Sequence, residues 1–197
     1  MEPLDADRPA VALDQELDQY RSYLLLLARM QLDARPRLKI EASDIVQHTL
    51  LEAHARRQQF QGNRDALAAW LRKALANNIR DSLRRVRRQR RDVMREQSLE
   101  AAIDHSSARI GVCLAADQTS LTGRVIRNED LLRLSHAILT LPEPQRDAVV
   151  LHHLQGWKLA DVAERLNRTE AAVAGLLHRG LRRLRELMGA ADKGNTA

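Results

Sequence analysis

Apolar residues in this chain recur at intervals of three and four, the spacing of one face of a helix. The longest such stripe is Trp70, Leu71, Leu75, Ile79, Leu83 and Val86. It predicts a long helix from about Ala66 to Asp92, with the arginines largely on its other faces. Upstream, a helical pattern runs from about Asp14 to Gln31, and Pro36 lies in the break after it. A second helix is expected from Ser43, read as its N-cap, with Asp44 in the first turn where the helix dipole favours negative charge. Its apolar face is Ile45, Val46, Leu50 and Ala53, and it frays by about Gln59. The stretch Phe60–Asp65, with Gly62 and Asn63 inside it, reads as a loop.

Between residues 93 and 127 the periodicity weakens. Ser106, Ser107, Gly111, Thr119, Ser120, Thr122 and Gly123 mark a linker, with a short helix near Met94–Ala102. Four helices are expected beyond it. They cover about Asn128–Thr140, stopping at Leu141-Pro142; Gln145–Gln155, ending at Gly156; Leu159–Leu166; and Glu170–Met188. The expected fold is therefore all-α, two small helical domains joined by a linker, the second containing a helix-turn-helix. The boundaries are an acidic disordered tail at 1–13, a first domain at 14–92, the linker at 93–127, a second domain at 128–188 and a tail at 189–197.

Composition narrows the chemistry. The 197 residues suffice for two small cores, and with so few aromatics (Tyr20, Tyr23, Phe60, Trp70, Trp157) those cores must be aliphatic. A single cysteine, Cys113, excludes an intramolecular disulfide and a cysteine-rich zinc site. No cofactor or metal is expected. The acidic start argues against a secretory signal, and the longest early apolar run, Leu24–Ala28, is too short for membrane insertion. A soluble, cytoplasmic protein is expected.

The formal charge is +6, but its placement matters more. From Arg64 to Arg95 there are eleven Arg or Lys against three Asp, a local net of +8, so the rest of the chain is slightly acidic. Such concentration is the electrostatic footprint expected of a nucleic-acid partner. Within it, Arg84, Arg85, Arg87, Arg88, Arg90 and Arg91 have few acidic neighbours, only Asp81 and Asp92. Guanidinium groups pair with phosphates and stack on bases. Phe60 and Trp70 are open to two readings, core packing or a platform for unstacked bases.

Lys158–Arg179 describes a helix-turn-helix: an amphipathic helix, the turn Asn167-Arg168-Thr169, and a second amphipathic helix. Thr169 can cap the second helix, with Glu170 at its positive end. Val173, Leu177, Leu181 and Leu184 can bury one face while Glu170, Ala171, Ala174, His178 and Arg182 face outward, where such a helix approaches base edges.

These residues carry a resemblance. Ser43-Asp44-Ile45-Val46-Gln47-His48-Thr49-Leu50 is similar to the polymerase-binding helix of bacterial sigma factors. Trp70-Leu71-Arg72-Lys73-Ala74-Leu75-Ala76-Asn77-Asn78-Ile79-Arg80-Asp81 resembles their promoter-melting helix. Leu141-Pro142-Glu143-Pro144-Gln145-Arg146 resembles the opening of the family's fourth region, and Thr169-Glu170-Ala171-Ala172-Val173 through His178-Arg179 its recognition helix. The order is that of the small, extracytoplasmic-function type.

The resemblance implies a non-enzymatic factor that binds core RNA polymerase and promoter DNA and directs promoter recognition, melting and transcription initiation. It assigns Asp44, Gln47, Leu50 and Leu51 to core polymerase. Phe60, Asn63, Arg64, Asn78, Arg80, Arg84, Arg85, Arg87 and Arg88 are assigned to the minus-ten element. Arg168, Thr169, Glu170, Ala171, Ala174, Gly175, His178 and Arg179 are assigned to the minus-thirty-five element. An anti-sigma factor is a further partner that the resemblance leaves open.

Several positions depart from the family's pattern. His48 and Leu50 stand where an acidic residue and an aromatic are usual. Ala174, Gly175 and Leu176 replace a polar-basic run, and Lys158 replaces a hydroxyl cap. Three rivals stand against the sigma-factor reading. An enzyme lacks support, because His152 and His153 are adjacent and no phosphate loop, nucleophile elbow or zinc cluster is present. A conventional helix-turn-helix regulator would bind intact duplex without polymerase. An adaptor would show no salt-sensitive DNA binding.

Overall fold

A computed structural model describes residues 16–32, 40–56, 60, 63–86, 94–116 and 128–194. Among these residues all regular structure is helical. The chain forms two compact units, Met1–Ile103 and Asp104–Ala197.

In the first unit a helical turn at residues 16–19 leads into α1 (Arg21–Leu32), followed by α2 (Ala42–Ala55) and α3 (Arg64–Val86). The three pack on one another, with α2 set chiefly against α3 and α1. The core is aliphatic, as the composition demands: Leu24, Leu26 and Leu27 of α1 meet Ile45 and Val46 of α2 and Leu67, Leu71, Leu75 and Ile79 of α3. Tyr20 and Tyr23 stack edge to face, centroids 6.4 Å apart, and the Tyr20 hydroxyl donates to the Arg64 carbonyl at 3.1 Å.

Two helix starts differ from expectation. The N-cap of α2 is Glu41, without a side-chain cap bond, and Ser43 lies inside the first turn. Burial of Ile45 and Val46 holds that start, and it outweighs the roughly 1 kcal/mol a hydroxyl cap supplies. Helix α3 begins at Arg64 rather than Ala66, because Asn63 Oδ1 accepts the Ala66 amide at 3.0 Å and caps it.

The segment read as a linker is largely helical: α4 spans Met94–Ala116, and the unit boundary falls within it. Ser106 and Gly111, expected to be breakers, are buried beside Ile103 and Ile110.

The second unit continues with α5 (Asn128–Thr140), α6 (Glu143–Val149), a π-helical turn at Val150–Leu154, α7 (Leu159–Arg165) and α8 (Glu170–Gly194). Gly156 follows the π turn with φ +76°, as expected of the glycine that ends a helix. Helix α8 runs past Met188, so residues 189–194, read as part of a tail, are helical. Helices α5, α6 and α7 all pack on α8. The tail at 1–13 lies outside the described residues.

Candidate nucleic-acid interface

Helix α3 buries Leu71, Leu75 and Ile79 completely, and that choice fixes which residues face out. Asn77, Asp81, Arg84 and Arg85 are exposed, and Arg80 is half-buried. The Arg80 Nη1 donates to Asn77 Oδ1 at 2.6 Å, so these two polar groups form one unit on the helix surface. The Arg84–Asp81 pair is exposed on both sides and loose at 3.8 Å, which makes it a weak ion pair. Arg87 and Arg88 lie outside the described residues.

Asn78 does not fit the DNA contact expected of it. It is 8% exposed, and its Nδ2 donates to Thr49 Oγ1 and to Glu52 Oε2, both at 3.1 Å. The exposed amide at this place is Asn77, one residue earlier, which the sequence reading missed. The signal was available: position 78 lies three after Leu75 and seven after Leu71, on the buried stripe, whereas 77 falls between.

The loop before α3 is more structural than expected. Phe60 packs on Trp70 with centroids 5.7 Å apart and rings tilted by 33°. Asn63 uses its carbonyl oxygen as the helix cap. Arg64 Nε donates to Glu16 Oε1 at 3.1 Å and ties the N-terminal turn to the start of α3. Both residues are half-buried.

On α2, Asp44, Gln47, His48 and Leu51 are exposed and fall on one face by their three- and four-residue spacing. Leu51 is 61% exposed, one of two large apolar side chains so displayed among the described residues. Leu50, also assigned to polymerase contact, is 7% exposed and faces the core, because it lies on the same side as Val46 and Ala53.

In the second unit, α7 ends in a Schellman motif. Arg168 N donates to Ala163 O at 2.9 Å and Asn167 N to Glu164 O at 3.1 Å, with Asn167 left-handed at φ 52°. Thr169 Oγ1 then accepts the Ala172 amide at 3.2 Å and caps α8. Lys158 stands at the N-cap of α7 without a side-chain bond, in keeping with the missing hydroxyl. Val173, Leu176, Leu177 and Leu184 are buried, Leu181 is half-buried, and Arg168, Thr169, Glu170, Ala171, Ala174, His178 and Arg179 are exposed.

Two glycines of α8 do different things. At Gly180 a Cβ would lie 3.0 Å from Val149 Cγ2, so glycine lets α6 pack closely. At Gly175 a Cβ would meet only the Arg179 guanidinium, at 3.3 Å, so the arginine lies back along the outward face. Ahead of α7, Arg109 of α4 donates to the His153 carbonyl at 3.3 Å, and its guanidinium covers Gly156. His152 Nδ1 lies 2.8 Å from the Trp157 carbonyl. A cation at the end of this π turn serves carbonyls that the turn leaves unpaired.

No cluster of three or more potential metal ligands occurs among the described residues. No described helix is long and apolar enough to cross a membrane.

Residues 19–89 match the family model "Sigma-70 region 2", and residues 131–184 match "Sigma-70, region 4". The ECF RNA polymerase sigma factor SigM of Mycobacterium tuberculosis, in both the H37Rv and Erdman strains, is 27% identical over 183 residues, covering 93% of this chain and 80% of that protein. A solved structure of the sigma factor RpoE in complex with the anti-sigma factor NepR from Bartonella quintana matches at 21% identity and a TM-score of 0.34, covering 90% of this chain and 97% of that one. With two regions of one family matched in order over more than half of its 197 residues, the chain belongs to the sigma-70 family and is an ECF-type sigma factor, a protein that binds core RNA polymerase and directs transcription initiation at promoters.

Proposed function

We propose that the two faces of the first unit divide the work of this sigma factor. Asp44, Gln47 and Leu51 of α2 bind core polymerase. Asn77, Arg80, Arg84, Arg85 and the following Arg87 and Arg88 hold the melted minus-ten strand, with Phe60 beside them. Arg168, Thr169, Glu170, Ala171, Ala174, Gly175, His178 and Arg179 of the second unit lie against the minus-thirty-five duplex. The proposed limits are 14–92 for the first activity and 128–188 for the second. The factor acts without catalysis, in the cytoplasm.

The observation that carries this reading is the segregation of exposed side chains in the first unit. The α2 face presents an apolar side chain, Leu51, beside polar groups, the composition of a protein interface. The α3 face presents an amide and long cations with a single exposed acid, Asp81, among them, a composition that suits a single strand. The Asp44→Arg variant tests it by charge reversal at an exposed site. Its affinity for core polymerase should fall about tenfold, or about 1.4 kcal/mol, with the fold intact and stability lowered by no more than the roughly 0.3–1 kcal/mol per charge of a lost helix-dipole interaction and its reversal. Normal holoenzyme assembly in a competition assay removes Asp44 from the interface. The rival reading, a conventional regulator, predicts specific promoter binding by the isolated chain. The sigma reading predicts that specific binding requires core enzyme.

A further inference from the structure

We propose that Asn78 is a positioning residue that sets the rotation of the DNA-facing helix α3 on the polymerase-facing helix α2. The inference rests on the reading above, in which the outward side of α3 holds the melted strand.

Much of the contact between α2 and α3 is aliphatic. Leu71, Leu75 and Ile79 on one side and Ile45, Val46 and Ala53 on the other are all buried. Burial of that kind is strong but non-directional. It tolerates a modest turn of one helix against the other. Hydrogen bonds do not, because they weaken steeply as their angles open.

Asn78 supplies the directional contact. Its amide nitrogen has two N–H donors, and the two bonds observed from it go to Thr49 Oγ1 and Glu52 Oε2. Each acceptor is itself held. Thr49 Oγ1 donates onward to the Ile45 carbonyl at 2.8 Å, which ties it to the first turn of α2. The other carboxylate oxygen of Glu52 pairs with Arg56 at 3.1 Å near the end of α2. One side chain of α3 is thus clamped between two points a turn apart on α2. The neighbouring residue, Asn77, opens the exposed row that continues through Arg80 and Arg84.

Geometry gives the consequence. On a helix whose side chains reach about 5–6 Å from the axis, a rotation of about 20° moves their tips by about 2 Å, well beyond the tolerance of a hydrogen bond. A clamp at position 78 therefore controls how Asn77 and the arginines meet a strand that α2, docked on polymerase, does not touch.

The informative variant is Asn78→Leu. Thr49 still donates to the Ile45 carbonyl and the Glu52 carboxylate keeps Arg56, so each of the two side chains loses one donor but retains another bond, and an aliphatic group fills the interface. Full-length protein should stay folded, with a melting temperature lowered by no more than the loss of about 1 kcal/mol implies, and should retain its affinity for core polymerase. The holoenzyme should bind a single-stranded minus-ten oligonucleotide about tenfold more weakly. Asn77→Ala serves as the control for the underlying reading. If Asn77→Ala weakens oligonucleotide binding and Asn78→Leu leaves it within twofold, the positioning role is wrong and the reading of the face stands. If neither variant changes it, both fail. If Asn78→Leu lowers melting temperature and both affinities together, Asn78 is a stabilising contact only, and the inference falls. A second pair guards against misfolding of the leucine variant. Asn78→Asp sets two carboxylates against each other and should impair strand binding. Adding Glu52→Gln restores a donor facing an acceptor and should recover it, and failure to recover overturns the clamp.

Discussion

The outward faces of α3 and α8 are made from opposite materials. On α3 they are an amide and long cations, Asn77, Arg80, Arg84 and Arg85. On α8 they are short, Ala171 and Ala174, with Gly175 lying under the folded-back Arg179. Long, many-donor side chains suit a flexible single strand whose phosphates and bases must be gathered from several directions. A helix of small residues suits a rigid duplex, into whose major groove it can lie deeply, but it has few donors with which to tell one base edge from another. The remaining polar groups of α8, at Arg168, Thr169, His178 and Arg179, suit interactions that position without specifying sequence. Discrimination on this view is concentrated in the first unit and anchoring in the second.

The heaviest blow to the comparison would come from the arginines. Every phosphate that gives up its cationic partner makes the log–log dependence of affinity on salt shallower by about 0.7 to 0.9. Replacing Arg84, Arg85, Arg87 and Arg88 together by Ala should therefore flatten that slope by about three, alongside a large loss of promoter complex. The exposed 3.8 Å pair of Arg84 with Asp81 is too weak to withhold that arginine from a phosphate. A slope that does not change would make the run a solvated face and leave α3 no better equipped than α8.

A promoter-mutation scan measures the contrast directly. Single base changes in the minus-ten element should each cost on the order of 1–3 kcal/mol, and those in the minus-thirty-five element visibly less. Open-complex formation on a panel of single-substitution templates gives both numbers. Equal or greater losses at minus-thirty-five would mean that the short-residue helix reads bases after all.

How far the sequence alone carries this contrast depends on the kind of signal involved. Helical periodicity located α3, α5 and the helix-turn-helix, because burial of Leu71, Leu75 and Ile79 or of Val173, Leu177 and Leu184 repeats every turn. The Thr169 cap and the turn at Gly156 were legible as chemistry, a hydroxyl at a helix start and a residue free to take positive φ. The errors are errors of phase and of context. Asn77 and Asn78, like Leu50 and Leu51, are neighbours about 100° apart on a helix, and a family motif does not say which of the two faces the core. The burial of Asn78 depends on Thr49 and Glu52, 29 and 26 residues away, which no local window contains. Of helix α4 only the start, near Met94–Ala102, was legible, because Ser106 and Gly111 have low helix propensity and read as breakers, although both are buried within the helix.

A gentler probe adds to α8 what it lacks. Ala174 is exposed on the outward face, so Ala174→Lys introduces a long cation without disturbing the core. One added phosphate partner should strengthen duplex binding by about 0.5–1 kcal/mol, a few-fold, and do so alike for cognate and scrambled minus-thirty-five sequences. Titration of holoenzyme against both duplexes separates the outcomes. A gain confined to the cognate sequence would show that α8 is in register to read bases and was merely short of a donor.

The smallest expected effect concerns Gly175. Glycine in a helix interior costs about 0.8–1.0 kcal/mol relative to alanine, so its presence in α8 calls for a reason. Packing does not supply one, since the nearest atoms to an added Cβ belong to the flexible end of Arg179, at 3.3 Å, and can move aside by a few tenths of an ångström. Gly180 shows what a packing glycine looks like, with Val149 Cγ2 only 3.0 Å from where its Cβ would stand. Gly175→Ala should then stabilise the protein by up to about 1 kcal/mol, seen as a rise in melting temperature. If α8 relies on close approach to the groove, the same methyl should weaken duplex binding slightly, by about twofold or 0.4 kcal/mol, despite the firmer helix. Opposite signs for stability and binding would assign Gly175 to the DNA face. A variant both more stable and tighter on DNA would show that close approach is not what the short side chains of α8 provide, and the contrast with α3 would have to rest on donors alone.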